Sequence, residues 1–321
     1  MFRIGMDLGG TFIKAGLVSD DFRLITERTV PTGVERTAGE VADTMIQIAE
    51  EVIRQSGIPR EEVRGIGVGS PGAIDPRSGT VLFSNNFGWE NVPLRGLLRA
   101  RTELPVRLAN DAQCAVMGEW KAGAGKNCGN LILLTLGTGV GSGLILDGKL
   151  FTGGGRSGGI IGHMVIEKNG RPCNCGRRGC LEAYASASAL SRELERAARE
   201  RPESSLGKKV RAPGTAISAR LVFDQAWQGD PDAAQIVGEF ISSLGEGIAN
   251  LVNLFRPDKV LIGGGICDQG DSLFIPLNRF VRERCYAREK VYIPPVERAA
   301  LGNRAGIIGA ASLLDETGDA R

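Results

Sequence analysis

The chain's only histidine, His163, is followed at ten residues by Cys173 and then by Cys175 and Cys180. One imidazole and three thiolates form a closed tetrahedral donor set suited to structural zinc, with no coordination position left for water or substrate. Gly170, Pro172, Gly176 and Gly179 permit the tight reversal that brings the thiols together. The plainer alternative is a loop of incidental reduced cysteines, or a pair forming a disulfide. Cys173 and Cys175 are too close in sequence to bond easily to each other, and the lone histidine stands where a fourth ligand is needed.

Other residues are spaced for phosphate and hydroxyl chemistry. A strand pattern from Phe2 to Asp7 runs into Gly9, Gly10 and Thr11, with a second strand through Lys14 to Val18. Such a turn offers backbone N–H groups and a hydroxyl to phosphate oxygens, and Asp7 is placed to hold a magnesium-bound water. It is not a P-loop, since no GKS or GKT follows. The layout recurs at LILLTLG, Thr138, Gly139, Val140, Gly141, Ser142 and Gly143, then LILDG. Later, Asp258 to Ile262 reads as a strand ending in Gly263, Gly264 and Gly265, where bare backbone could meet a base and ribose.

Leu104 to Leu108 reads as a short strand leading through Ala109 and Asn110 to Asp111, ahead of a helix from Ala112 to Lys121. The C-terminal edge of a strand is where open α/β sheets place ligands, so Asp111 could take a proton from a hydroxyl nucleophile. Asn110 or Asp111 could equally serve as the helix N-cap, and both roles are compatible. The stretch Thr80 to Pro93 is expected to be a loop whose Asn85, Asn86 and Trp89 suit hydroxylated ligands or simple turn chemistry.

The elements that must position these residues follow an α/β pattern. Thr37 and Glu40 form a capping box for a helix to Gln55, striped with Val41, Met45, Ile48, Val52 and Ile53 and stopped by Gly57. Val63 to Gly69 is a buried-type strand opening into Ser70, Pro71 and Gly72. Asp230 caps a long helix to Phe255, Arg201 to Ala216 is expected to be a mobile loop, and Gly302 to Leu314 a helix that returns to pack on the first half.

Composition narrows the function classes. At 321 residues the chain is long enough for two domains of ordinary size, and 42% hydrophobic with 24% charged residues is a globular balance. A net charge of +2 is close to neutral, so nothing argues for nucleic acid or an anionic membrane as partner, and neither is expected. No apolar run reaches membrane-span length and no signal peptide is evident. Seven cysteines, three of them assigned to a metal, imply a reducing cytoplasm.

Together DLGGTFIKAG, NNFGW, LANDA, LTLGTGVGSG, GHM, CNCGRRGCLE and IGGG, in this order, resemble the ROK (repressor, ORF, kinase) family, in its bacterial glucokinase branch. The resemblance implies the actin-like ATPase (ribonuclease H-like) fold, two related α/β domains around a cleft holding ATP and sugar. The expected division is 1–111, completed by a C-terminal helix 304–321, and 112–303 with the zinc loop 158–182. It further implies that Asp7, Gly9, Gly10, Thr11 and Lys14, then Gly137, Thr138, Gly139 and Gly141, hold phosphate with Mg²⁺. Gly263, Gly264 and Gly265 fall on the adenosine side. Gly72, Asn85, Asn110, Asp111, His163 and Glu182 become sugar contacts, with Asp111 the general base, and His163, Cys173, Cys175 and Cys180 become ligands of a structural Zn²⁺. A cytoplasmic homodimer or homotetramer is implied, with sugar and ATP as its small-molecule partners.

The expected activity is phosphorylation of the 6-hydroxyl of a hexose, glucose first. Family repressors carry a helix-turn-helix ahead of the kinase-like body, whereas Asp7 arrives here at the seventh residue, so an enzyme is expected. One position departs from the pattern: Ile160 stands where the family reads glutamate before Gly-His. A sugar hydroxyl left unpaired against isoleucine would cost about 1 to 3 kcal/mol. Another hexose, an N-acetylhexosamine, or a sugar-binding regulator with weak kinase activity are therefore the alternatives.

Overall fold

The computed structural model describes residues 1–154 and 158–315. Its first strands are β1 (Phe2–Leu8), β2 (Phe12–Ser19) and β3 (Leu24–Pro31), followed by helix α1 (Ala38–Ser56), β4 (Val63–Ser70) and, after a small three-stranded sheet, β8 (Val106–Asn110). These five strands form one sheet in the order β3-β2-β1-β4-β8. The first three are antiparallel, and β4 and β8 join in parallel.

In β1 large and small residues alternate, and the period of two sends them to opposite faces. Ile4, Met6 and Leu8 are buried in a core shared with Ile13, Leu17, Ile66, Val68 and Leu108 and with Val41, Met45, Ile48 and Val52 of α1. Each such side chain contributes roughly 1.5 to 3 kcal/mol by leaving water. The expected capping box is present, Thr37 with Glu40, and Gly57 ends α1 in the left-handed region at φ 69°.

The sheet's small residues receive α10 (Ala305–Ser312), whose backbone lies so close that a Cβ on Gly5 or Gly67 would come within 1.8 Å of Ile307 O or 1.7 Å of Ala310 O. Helix α10 also packs on α3 (Asp111–Ala122), where a Cβ on Gly309 would meet Cys114 O at 1.6 Å. Arg3, buried in β1, reaches Asp315 at 2.6 Å and ties the end of the described chain back to its start. The expected return of the C-terminal helix is therefore observed, while residues 316–321 lie outside the described residues.

The stretch expected as a loop over Thr80 to Pro93 is instead folded: β5 (Ala73–Asp75), β6 (Thr80–Ser84) and β7 (Trp89–Val92) make the small sheet, before helix α2 (Leu94–Arg99). Trp89 is buried and stacks on Phe87 at 4.5 Å, so it is a core residue and no ligand platform. The aromatic pair needed burial more than the loop needed a binding ring.

The second sheet contains β9 (Leu131–Leu136), β10 (Val140–Leu146), β11 (Lys149–Leu150), β12 (Lys259–Gly263) and β13 (Val296–Arg298). Its order, β11-β10-β9-β12-β13, repeats that of the first sheet, as the recurrent strand, glycine turn, strand layout led one to expect. Helices α4 (Glu182–Ala185), α5 (Ala187–Glu200), α6 (Ser205–Arg211), α7 (Ala219–Trp227), α8 (Pro231–Phe255) and α9 (Asp271–Arg284) are the remaining α-helices among the described residues. The segment expected to be a mobile loop, Arg201 to Ala216, thus carries α6, capped by Ser204. Helix α8 begins on Asp230, which accepts from Ala233 N–H at 3.0 Å, with Pro231 in the first turn.

By compactness the chain divides into one unit of Met1–Leu133, Gly143–Gly159 and the segment from Ala299, and another of Leu134–Ser142 and Ile160–Arg298. Among the described residues no helix is long and apolar enough to cross a membrane.

Gly67→Ala should lower stability by about 3 kcal/mol, because the intruding methyl meets backbone that cannot yield. Gly57→Ala, with open space around it, should cost roughly 1 to 2 kcal/mol from its left-handed φ alone. Urea midpoints of the two variants compare them, and equal losses would show that α10 can move away.

Candidate functional site

In the first unit the C-terminal ends of three parallel strands converge. Asp7 of β1 lies in register with Gly69 of β4, and Gly69 with Ala109 of β8. A Cβ on Gly69 would lie 3.4 Å from Asp111 Cα, so the missing side chain lets the start of α3 approach the sheet. Asp7 is also in register with Lys14, whose Nζ is 3.6 Å from its Oδ2.

Both sequence readings of Asn110 and Asp111 hold. Asn110 is the N-cap: its Oδ1 accepts from Ala112 and Gln113 N–H at 2.9 and 3.3 Å, and Gln113 returns the contact to Asn110 N–H. Its amide nitrogen donates to Gly72 O at 3.1 Å, fixing the Ser70 to Gly72 turn. Gly72 adopts φ 106° and its Cα faces Phe83 O, where a Cβ would come within 2.2 Å, so only glycine fits. The Asn110-x-x-Gln113 spacing is a capping signature legible in the sequence itself.

Asp111 opens α3 with Oδ1 accepting from Ala112 N–H at 2.9 Å. Burial pushes its carboxyl up to about 6; the Ala112 N–H opposes this and the charge of Asp7 adds to it. Asp7 is itself raised by burial and partly restored by Lys14. A carboxylate near 6 is matched to accepting a proton at neutral pH.

The first glycine turn is rigidly held. Gly9 N–H donates to Phe12 O at 3.0 Å and Thr32 Oγ1 to Gly9 O at 2.7 Å, leaving Thr11 exposed. Gly10 borders Asn86, while Asn85 is exposed in the β6–β7 turn.

The second unit brings the other two glycine segments together. A Cβ on Gly264, at φ 94°, would meet Leu136 O at 2.2 Å, which sets Gly263 to Gly265 against the strand that leads into the Gly137 turn. Neither Gly137 nor Gly265 has a neighbouring atom within 4 Å of a Cβ position, so backbone is bare there, and Thr138 is exposed. Gly141 already belongs to β10. Thr138, Cys173, Asn174, Glu182, Ser186 and Arg192 contribute to a cavity of about 220 Å³.

The four sequence-selected metal donors do converge. His163, Cys173, Cys175 and Cys180 present ligand atoms all within 4.8 Å of one another. Cys173 Sγ is 3.6 Å from His163 Nδ1, and Cys175 Sγ is 3.7 Å from Cys180 Sγ. Metal–sulfur bonds of about 2.3 Å give tetrahedral edges near 3.7 Å, so the donors fit one four-coordinate ion. No disulfide forms among them. Burial pushes the Cys180 thiol up to about 12, so a cation is needed to ionise it at neutral pH. No local pattern marks the anchor beneath this loop: Tyr184 OH accepts from Arg171 N–H at 2.6 Å, and the Arg171 guanidinium stacks on the Tyr184 ring at 4.6 Å.

Carboxyl-carbon NMR should place the Asp111 midpoint near 6 and find it lower in Asp7→Asn. Because the folded value exceeds the unfolded one of about 3.9, the folded chain binds more protons between the two values. Stability from this group therefore falls as pH rises through that window, and Asp111→Asn should unfold at higher urea than the parent at neutral pH.

A family model described as ROK family matches residues 3–317. The glucokinase of Thermotoga maritima is 42% identical over 98% of this chain and 97% of its own length. A putative xylose repressor of Caldicellulosiruptor is 30% identical over 97% of this chain and 77% of its own. Among solved structures, a ROK family glucokinase from Streptomyces griseus in complex with glucose and AMPPNP superposes with TM-score 0.82 at 34% identity, covering 98% of this chain and 99% of that one. The shared strand order and this superposition make the fold the actin-like ATPase fold, and the chain belongs to the ROK family.

Proposed function

We propose that the protein is an ATP-dependent hexose kinase that phosphorylates the 6-hydroxyl of glucose. The observation that carries this is Asp111: a carboxyl near 6 at the C-terminal edge of the sheet, in a chain whose full-length relatives include glucokinases. Asp111 takes the hydroxyl proton as that oxygen attacks the γ-phosphorus and the bond to the departing ADP oxygen breaks. Asp7, Gly9, Gly10, Thr11 and Lys14 address phosphate; Asp7 is the residue that would hold Mg²⁺, which would neutralise phosphate charge. Gly137, Thr138, Gly139 and Gly141 are assigned to phosphate as well, and Gly263, Gly264 and Gly265 to the adenosine. Gly72, Asn85, Asn110, His163 and Glu182 are assigned to the sugar.

The donor set of His163, Cys173, Cys175 and Cys180 suits Zn²⁺, held for structure because no position stays open. All seven cysteines are free of disulfides, in keeping with a reducing cytoplasm, and a homodimer or homotetramer is the proposed assembly.

A second reading is favoured by one observation. Ile160, 54% exposed, presents an apolar side chain two residues before Gly162, separated from the Gly-His pair by the buried Ile161. A different hexose, an N-acetylhexosamine, or sugar sensing with weak turnover would follow from it.

A coupled assay with Mg²⁺ and ATP against glucose, mannose, fructose, allose, N-acetylglucosamine and N-acetylmannosamine, with Ile160→Glu alongside, separates these readings. Strong glucose turnover by the native chain is expected; poor glucose turnover rescued by the glutamate would transfer the assignment to the second reading. Asp111→Asn should lose at least about 100-fold in kcat while sugar affinity stays within about threefold. In the native chain kcat/KM should fall as pH drops below about 6, where Asp111 becomes protonated. An unchanged kcat in Asp111→Asn would remove it as the base.

A further inference from the structure

Glu182 follows the last cysteine of the metal cluster by two residues and opens α4. Its Oε2 accepts from Val140 N–H at 2.9 Å, at the end of the second glycine turn. Its Oε1 lies 3.9 Å from Cys173 Sγ. Five residues on, Ala187 N–H donates to Gly137 O at 2.9 Å, so one short segment grips both ends of the turn. Within the turn Gly137 N–H donates to Gly139 O at 3.0 Å, closing it.

Two features make the carboxylate more than a passing contact. Val140 is 4% exposed, so its N–H would go unsatisfied without this acceptor. A Cβ on Gly139 would stand 2.3 Å from Glu182 Oε2, so the space a side chain would need is already taken by the carboxylate. The charge itself is unfavourable for the turn's task, because a negative group beside bound phosphate repels it. What the turn gains is geometry.

We infer that Glu182 is a positioning residue for the nucleotide phosphates: it fixes the Gly137 to Gly141 turn through Val140 N–H, in addition to any contact with sugar. This rests on the kinase reading, in which that turn addresses phosphate. It also joins the cysteine loop to the phosphate turn by one side chain, so that the loop's placement is transmitted to the nucleotide. Glutamine in the same place keeps the acceptor and drops the charge. Alanine drops both, and Gly139→Ala keeps Glu182 but displaces its carboxylate from Val140.

The test measures Mg²⁺-AMPPNP affinity calorimetrically without sugar, KM for ATP and for sugar separately, and zinc content by plasma emission. The native chain, Glu182→Gln, Glu182→Ala and Gly139→Ala are compared. The alanine variants at both positions should weaken AMPPNP and raise the ATP KM roughly tenfold with zinc retained, as expected when a buried N–H loses its acceptor. Glu182→Gln should stay within about twofold of the native nucleotide affinity, since the acceptor remains. A rise in sugar KM alone, a glutamine variant as impaired as Glu182→Ala, or loss of zinc in step with activity would each overturn the inference. Failure of the native chain to bind AMPPNP or turn over ATP would instead overturn the kinase reading, and the inference with it; that failure is told apart by appearing before any substitution.

Discussion

The seating of α10 against bare backbone is the constraint on which the rest of the first unit depends. Its carbonyls lie where side chains of Gly5 and Gly67 would be, and its own Gly309 lies against Cys114 of α3. Because Asp7 is the penultimate residue of β1 and α3 begins at Asp111, the same helix sets the frame in which both carboxylates are held. A Cβ on Gly306 would stand 3.1 Å from Asp7 Cγ, so even the side chain of Asp7 is bounded by it. The approach to α10 is fixed by a buried charge: Glu119 accepts from Ala124, Ala300 and Leu301 N–H at 2.9, 3.0 and 2.7 Å. A fully buried carboxylate is tolerated only with such a complement of donors.

Within that frame the chemistry is electrostatic. Burial raises both Asp7 and Asp111, and the charge of Asp7 makes ionisation of Asp111 harder still. Lys14 faces Asp7, so its compensation falls on one partner only. The two carboxyls are thereby set apart: Lys14 draws Asp7 part of the way back toward its ordinary range, while Asp111 is pushed up to about 6, a value suited to proton transfer.

The second unit solves a different problem, the ordering of a cysteine loop with little apolar content. Convergence of four donors does part of this. Arg171 does the rest, stacked on Tyr184 and reaching Glu193 of α5 at 3.2 Å and Glu239 of α8 at 3.5 Å. Exposed ion pairs of this kind are worth little singly, but the planar guanidinium shared by a ring and two helices fixes the loop's direction. A hydroxyl of the same tyrosine closes on Arg171 N–H, which leaves Gly170 no room for a side chain.

Sequence alone determined whatever depends on local spacing. The capped helix after Thr37, the strand and glycine-turn repeats, the convergent His and Cys set and the aspartate at the edge of the sheet were all legible, because turn chemistry, ligand chemistry and periodicity act over a few residues. Trp89 and the sheet around it were misread, since an aromatic in a polar stretch looks alike whether it stacks on Phe87 or on a ligand. The helix within Arg201 to Ala216 was missed because its Pro, Gly and basic residues mask a single turn-rich element. Only the tertiary structure decided the pKa of Asp111, which comes from burial and from a charge more than a hundred residues away, the use of Glu119 as an internal anchor, and the hold of Glu182 on Val140. Each joins residues distant in the chain, and no local pattern records which backbone N–H will be left wanting an acceptor until the chain has closed around it.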